Sequence, residues 1–143
     1  MAVIALQADS TTLVLNGTIL NDLAEGDSIT LTSANPLTGH VNSSGNGVTI
    51  KKRLDGGVTD MVVRVQKYSD SDVFLNSAKE SGLPVVFNGS AKENYTKDGT
   101  DFVCTLQLNN GSITTQPTDT RNNQDGNALM EYTIRFRNAV RTL

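Results

Sequence analysis

The sequence has no tryptophan, one cysteine, one histidine and few aromatic residues. A single cysteine, Cys104, excludes an internal disulfide, and a single histidine, His40, leaves a zinc site short of nitrogen and sulfur ligands. No apolar run reaches the ~18 residues of a membrane span, and the N-terminal segment has no charged region or apolar length typical of a signal peptide. We therefore expect a protein made in a reducing compartment that binds no membrane.

Positive charge is also scarce, because the formal net charge is −3 at pH 7. Proteins that bind nucleic acid tightly gain most of their affinity by neutralising phosphates with Lys and Arg. The charge balance therefore excludes strong nucleic-acid binding.

Residues for catalysis are few. His40 lies in a polar stretch and Cys104 in an apolar row, so a nucleophile and its base are not indicated. The Asp119–Asp125 and Asp70–Asp72 segments have acidic and amide side chains, but their spacing is not that of an EF-hand, and a turn and a helix cap explain them. We predict no enzyme, no cofactor and no metal.

What the 143 residues do contain is abundant Thr, Ser, Asn and Gly, which is typical of strands and turns. Alternation of apolar and polar residues predicts a mainly β, antiparallel, sandwich-like or barrel-like domain that covers residues 1–143. The predicted strands are Thr12–Leu15, Ser28–Thr32, Gly47–Arg53, Val58–Lys67, Val85–Lys92, Thr100–Leu108, Ser112–Thr115 and Ala128–Asn138.

Three of these strands have a clear apolar row opposite a polar one. The predicted apolar rows are Met61, Val63 and Val65, then Phe102, Cys104, Leu106 and Leu108, and then Met130, Tyr132, Ile134 and Phe136. We expect Cys104 to be a small buried apolar residue in its row.

One short helix is predicted at about residues 70–81. Ser69 followed by Asp72 resembles a capping box, and Gly82 before Pro84 is typical of a helix C′ position. Its predicted apolar face, which is too narrow for a helix that stands alone, consists of Val73, Phe74, Ser77 and Ala78.

Four segments lie outside this pattern. We interpret residues 1–10 as an N-terminal arm, 33–46 as a long loop and 138–143 as a C-terminal arm. The loop, together with the polar segment 116–127, is longer than hairpins require, which is typical of functional or disordered segments.

The order of these features resembles that of the tail tube proteins of contractile-tailed bacteriophages. The resemblance rests on "LVLNGTILNDLAEGDSITLT", on "GVTIKKRLDGGVTDMVVRVQKYSDSDVFLNSAKESG" and on the late "YTIRFRNA". The corresponding positions are Gly17 to Ile19, Gly26, Asp27, Ile29, Ser69, Ser71 and the helix through Ala78. It spans most of the chain through short segments.

The resemblance implies a structural virion protein of a phage tail, or of a phage-derived contractile particle, assembled in the bacterial cytoplasm. Two long hairpins of each subunit would form part of an oligomeric β-barrel, and hexameric rings would stack into a tube. DNA would pass through the lumen without specific binding during genome ejection. Expected partners are other copies of the chain, a tail sheath protein, and baseplate and tail terminator proteins.

Two sets of residues are predicted to serve this assembly. For contacts between stacked rings the candidates are Pro36, Leu37, His40 and Val41, with the two terminal arms as further contacts. For the lumen the candidates are the polar side chains of two predicted strands, Lys51, Arg53, Asp60, Arg64 and Gln66.

Other functions fit the same composition. A capsid decoration protein or a tail-completion protein shares the turn-rich β character. A free-standing β-sandwich binding module, for example for carbohydrate, also fits, although the absence of tryptophan disfavours sugar stacking.

Overall fold

The computed structural model describes residues 2–121, 123 and 128–143, which form ten strands and one helix. The strands are β1 Ile4–Leu15, β2 Thr18–Leu20, β3 Ile29–Ser33, β4 Thr38–Asn42, β5 Val48–Lys52, β6 Thr59–Gln66, β7 Phe87–Lys97, β8 Thr100–Ile113, β9 Thr118–Asp119 and β10 Leu129–Thr142. The helix is α1 Asp70–Lys79. Within the described part of the chain, no helix has the length and hydropathy to cross a membrane.

Eight strands form one antiparallel sheet. Its order is β2-β1-β7-β8-β10-β6-β3, and β9 adds a short pairing to β10. The remaining strands, β4 and β5, pair only with each other among the described residues. The predicted mainly β, antiparallel, sandwich-like fold with one short helix is therefore confirmed.

Two-residue turns set the register of the long β7–β8 hairpin and of the short β1–β2 hairpin. Asp98 and Gly99 join β7 to β8, and both have positive φ angles, 49° and 82°. Positive φ at both central positions is the type I′ conformation, whose twist matches that of the paired strands. Asn16 and Gly17 join β1 to β2 in the same way.

The core lies between the two halves of this sheet. β6 and β10 contribute their predicted apolar rows, and β1, β7 and β8 contribute a facing set. The fully or almost fully buried side chains are Leu13, Leu15, Leu20, Met61, Val63, Val65, Leu75, Phe87, Ala91, Leu108, Tyr132, Ile134 and Phe136. The halves meet like the layers of a sandwich.

The core is tightly packed where β8 meets β10, because the backbone of Gly111 lies against the ring of Phe136. Gly111 lies opposite Phe136, and a Cβ atom added to Gly111 would lie 2.4 Å from two carbons of that ring. Only a residue without a side chain leaves room for Phe136 here.

Helix α1 begins as predicted, because the Ser69 hydroxyl accepts a hydrogen bond of 3.3 Å from the Asp72 backbone N–H. The hydroxyl of Tyr132, a buried residue of β10, donates a 2.6 Å hydrogen bond to the Asp72 carboxylate. Burial, followed by this bond, raises the pKa of the Tyr132 phenol far above its usual range. The cap therefore also fixes the helix to the sheet.

Two details of the helix prediction are wrong. The helix ends at Lys79 with Glu80 as C-cap, so Gly82 is not the C′ residue. The side chains that it buries are Ser71 and Leu75, whereas Val73 is mostly exposed. Phe74 and Ala78 of the predicted face do pack against the core, and the contact also includes Leu75 and the polar Ser71, which donates a weak hydrogen bond to Asp22.

Strands β1, β7, β8 and β10 are longer than predicted, whereas β5 and β6 are slightly shorter. The N-terminal arm, residues 1–10, falls largely in β1, and the C-terminal arm, residues 138–143, continues β10. The predicted loop 33–46 contains β4, and the predicted loop 116–127 contains β9, although Asn122 and residues 124–127 lie outside the described residues. Alternation is weak at these ends because most of the side chains described there are exposed.

Candidate assembly surfaces

The β4–β5 hairpin, residues 38–52, projects from the subunit, and we refer to it as the arm. Every residue of its strands is exposed except Gly39, which is half-buried. Three aliphatic side chains lie on it, with 69% of Val41, 56% of Val48 and 61% of Ile50 exposed. A two-stranded hairpin with no third strand and no covering layer is at best marginally stable in water. The arm is therefore a surface that requires a partner.

The base of the arm is held firmly to the subunit. The Arg53 backbone N–H donates to the Leu37 carbonyl at 2.9 Å, and the Ala34 N–H donates to the Val58 carbonyl at 3.0 Å. The Arg53 guanidinium forms two 3.0 Å hydrogen bonds to the Asp55 carboxylate, and these lower the pKa of Asp55. The arm therefore leaves the subunit in a defined direction.

A second surface is formed where the longest strands continue beyond the core. It consists of residues 4–12, 92–97, 100–107 and 139–142, and we refer to it as the extension. Cross-strand pairs place Leu6 beside Tyr95 and Tyr95 beside Phe102. The Tyr95 and Phe102 rings stack with centroids 5.5 Å apart, while Ile4 and Leu6 remain about three-fifths exposed. This face continues the row that forms the core, and it also carries the charged residues Glu93, Lys97 and Arg141.

The opposite face of the extension is mostly polar and carries few charges. Among the side chains that the structure describes, it presents mainly hydroxyls and amides, with Lys92 as a cation and Asp101 as an anion, and we refer to it as the hydroxyl face. By alternation and pairing its members are Ala5, Thr12, Lys92, Asn94, Thr96, Asp101, Val103, Thr105, Gln107, Val140 and Thr142. The Thr96 hydroxyl donates to Asp101 across the hairpin at 3.4 Å.

The predicted ring-contact residues all lie at the arm. Pro36 and Leu37 are exposed at its base, and His40 and Val41 lie on opposite faces of β4. The His40 ring shares a 3.2 Å hydrogen bond with the Thr38 hydroxyl. The structure thus groups these four positions on one projecting element.

The predicted lumen residues do not form one group. Lys51 and Arg53 belong to the arm and its base, whereas Asp60, Arg64 and Gln66 lie on β6.

The charges on β6 are also paired within the subunit. The Arg64 guanidinium donates to Glu131 at 2.8 Å, and Arg135 donates to Asp60 at 2.7 Å. The hydrogen bond from Arg135 lowers the pKa of Asp60. Each pair joins directly opposite residues of β6 and β10, so these four charges are neutralised within the subunit.

Cys104 is half-buried rather than buried, so that prediction was wrong in degree. It lines a groove of about 480 Å³ between the edge of β3 and the β7–β8 hairpin, near Ile29 and Leu31. The sandwich is open here because β3 is only five residues long. In the part of the chain that is described, no three His, Cys, Asp or Glu side chains are arranged to hold a metal ion.

Sequence reasoning missed the extension. Ile4 and Leu6 form only a short alternation, and although Phe102 was predicted in an apolar row, only the pairing of β1 with β7 and of β7 with β8 brings these three side chains to one face. The two-residue turn at Asp98–Gly99 was the one local signal of a hairpin this long.

Comparison with known proteins adds no relationship, because neither protein-family models nor curated proteins match the chain.

Proposed function

We propose that the chain is a structural virion protein, the subunit of a phage tail tube. Six copies would form a ring, and stacked rings would form the channel through which DNA is ejected. Tail sheath, baseplate and tail terminator proteins would be its other partners. The proposal combines the resemblance of the ordered sequence segments with the surfaces described above.

The arm is the observation that carries the proposal. It is a regular hairpin, it is anchored at its base, and its exposed aliphatic side chains lie on both faces. A monomeric binding module gains nothing from such an element, whereas a subunit that inserts it between neighbouring copies buries it completely. In the tube, we expect the arm to contact the adjacent ring, as predicted for Pro36, Leu37, His40 and Val41.

Strand geometry is compatible with a channel of useful width. Six subunits that each contribute four strands give 24 strands, and at ~4.8 Å spacing and ~40° tilt the barrel radius is roughly 24 Å. After side chains, a bore of roughly 35–40 Å remains, which is wide enough for duplex DNA and a layer of water.

The charge of the chain is also compatible with DNA passage. A ring of six copies at −3 each would carry about −18. A lumen without excess positive charge does not attract phosphate, so DNA would slide without adhering.

The proposal is tested by replacing the aliphatic side chains of the arm with threonine, as Val41→Thr, Val48→Thr and Ile50→Thr together. Threonine keeps the β propensity of the arm but removes most of its apolar surface. Because these residues are exposed in the subunit, we expect little change in the free energy of unfolding but a large loss of rings or tubes in sedimentation velocity and negative-stain electron microscopy. Leu83→Thr, at an exposed site after the helix, is the matched control.

Two results would overturn the proposal. Tubes of unchanged length and yield from the triple variant would remove the role of the arm. Compact monomers of the unaltered chain at every concentration would instead support a binding module, and trimers would support a capsid decoration protein.

A further inference from the structure

We propose that the Asn46–Gly47 pair, at the tip of the arm, is a site of spontaneous deamidation in the folded subunit, and that the fold protects the other Asn–Gly pairs of the chain. The sequence has four such pairs, which begin at Asn16, Asn46, Asn88 and Asn110. Asparagine is a thermolabile residue, and a following glycine has no side chain to hinder the reaction. The inference concerns the subunit alone and does not depend on the proposed function.

Deamidation consumes water and needs no enzyme. The backbone nitrogen of Gly47 loses its proton and attacks the side-chain Cγ of Asn46, the Cγ–Nδ2 bond breaks, and ammonia leaves with that proton. Water then opens the resulting five-membered succinimide at either carbonyl, which gives aspartate or isoaspartate, and no atom is oxidised or reduced. For the attack, the side chain and the following peptide group must rotate toward each other. Reaction in a folded protein therefore requires a segment that opens at little cost in free energy.

Asn46 meets this requirement. It lies in the exposed tip between β4 and β5, residues 43–47, with a glycine on either side. Among the described residues its side chain forms no hydrogen bond, and the tip is closed by bonds between Ser43 and Gly47. The Gly47 N–H donates to the Ser43 hydroxyl at 3.0 Å, a bond that water replaces easily at an exposed position. The hairpin has no third strand, so the tip opens readily.

Asn16 provides the closest comparison within the chain. It is also exposed, it also precedes a glycine in a turn, and it also has a positive φ angle, 51° against 65° for Asn46. Its side chain, however, is fixed at both ends. The Nδ2 group donates a 3.0 Å hydrogen bond to the Val86 carbonyl, and the Oδ1 atom accepts a 2.9 Å hydrogen bond from the Asn88 N–H. The amide of Asn16 must break both bonds before it can react.

The remaining two pairs lie inside the sheet. The Asn88 Oδ1 atom accepts a 2.9 Å hydrogen bond from the Asn110 N–H, and a Cβ atom added to Gly89 would lie 1.8 Å from the Val14 carbonyl oxygen. Gly111 is buried and is paired with a strand on each side. Neither peptide group can rotate unless the sheet opens locally, which costs far more free energy than opening an exposed tip.

Deamidation would change the charge of the arm. Residues 38–52 contain no Asp or Glu, and their formally charged side chains are Lys51 and Lys52. A carboxylate at position 46 would therefore be the first anion of the arm, and isoaspartate would also lengthen the backbone of the tip by one carbon atom. A reacted subunit would present a different surface to any partner of the arm.

Peptide mapping by tandem mass spectrometry tests the proposal on the full chain after incubation at mildly alkaline pH. Each deamidation changes the mass of its peptide, and fragment ions assign the change to one residue. In the folded chain we expect Asn46 to react at least about tenfold faster than Asn16, Asn88 or Asn110. In urea, where the protection by the fold is lost, the four sites should react at rates within about threefold of one another.

Asn46→Gln is the matched control. Glutamine keeps an exposed amide at the tip, but its longer side chain would have to form a six-membered ring, which is much slower. The folded variant should therefore gain negative charge in anion-exchange chromatography much more slowly than the unaltered chain. Equal rates at Asn46 and Asn16 in the folded chain would overturn the proposal, and so would an unchanged rate of charge gain in the Asn46→Gln variant.

Discussion

Replacing Gly111 with alanine tests how the core is closed. The added Cβ atom would lie 2.4 Å from the Cδ1 and Cε1 atoms of Phe136 and 3.0 Å from its Cζ atom. Carbon atoms in contact prefer a separation of about 3.5–4.0 Å, so the ring would have to move by about 1 Å. Phe136 is fully buried and has no space to move into.

The expected cost follows from this geometry. Overpacking a filled core costs about 1–3 kcal/mol, and we expect the upper end because the atoms that clash belong to a rigid ring. For a domain of this size, a loss of 3 kcal/mol lowers Tm by about 10 °C. Combining Gly111→Ala with Phe136→Leu should be less destabilising than the sum of the single changes by about 1 kcal/mol or more.

The measurement is urea unfolding of the dissociated subunit, followed by circular dichroism. Gly82→Ala is the control, because nothing lies within 4 Å of the position of its added Cβ atom and its φ angle is outside the left-handed region. We expect this control to be neutral or slightly stabilising. Additive effects of the two core changes, or an unaltered stability of Gly111→Ala, would refute the clash.

Three further predictions concern the helix, its anchor and a surface ion pair. Leu75→Ala should lower the free energy of unfolding by about 2–5 kcal/mol, whereas Val73→Ala on the exposed side of the same helix should change it by less than about 0.5 kcal/mol. Because the folded state holds the phenol proton of Tyr132 to a higher pH than the unfolded state, stability should fall as pH rises above about 10, and Tyr132→Phe should remove this slope in alkaline unfolding curves. Asp60 has a lowered pKa, so the stability contributed by its ion pair is present above the unfolded-state pKa of about 3.9 and is lost as pH falls. Asp60→Asn should therefore flatten the acid side of the curve of stability against pH. The effect should be at most about 1 kcal/mol because Arg135 is half exposed.

The sequence predicted the parts of the fold where burial is one-sided. The rows of β6 and β10 alternate because one face packs in the core, and the structure buries Met61, Val63 and Val65 of one predicted row and Tyr132, Ile134 and Phe136 of the other. The helix start was also predictable, because Ser69 acts as a cap through local bonds alone. Local chemistry of this kind is encoded over a few residues.

The parts that were mispredicted depend on contacts that are distant in sequence. β4 was interpreted as loop because its polar and aliphatic residues have no buried face to reveal a period, and only pairing with β5 makes it a strand. The extension depends on the pairing of β1 with β7, whose partners lie far apart in sequence, such as Ile4 and Lys97, and on the pairing of β8 with β10. The paired charges of β6 likewise needed the partner strand, because Glu131 and Arg135 could not be assigned to Arg64 and Asp60 from spacing alone.

The alternating direction of the four long strands also bears on how many copies make a ring. If every junction between copies repeats the pattern found inside one copy, hydrogen bonding favours no particular copy number, and five, six or seven members would close equally well by that criterion. The twist of the sheet and the contacts of the arm with neighbouring copies must then select the number of copies in a ring.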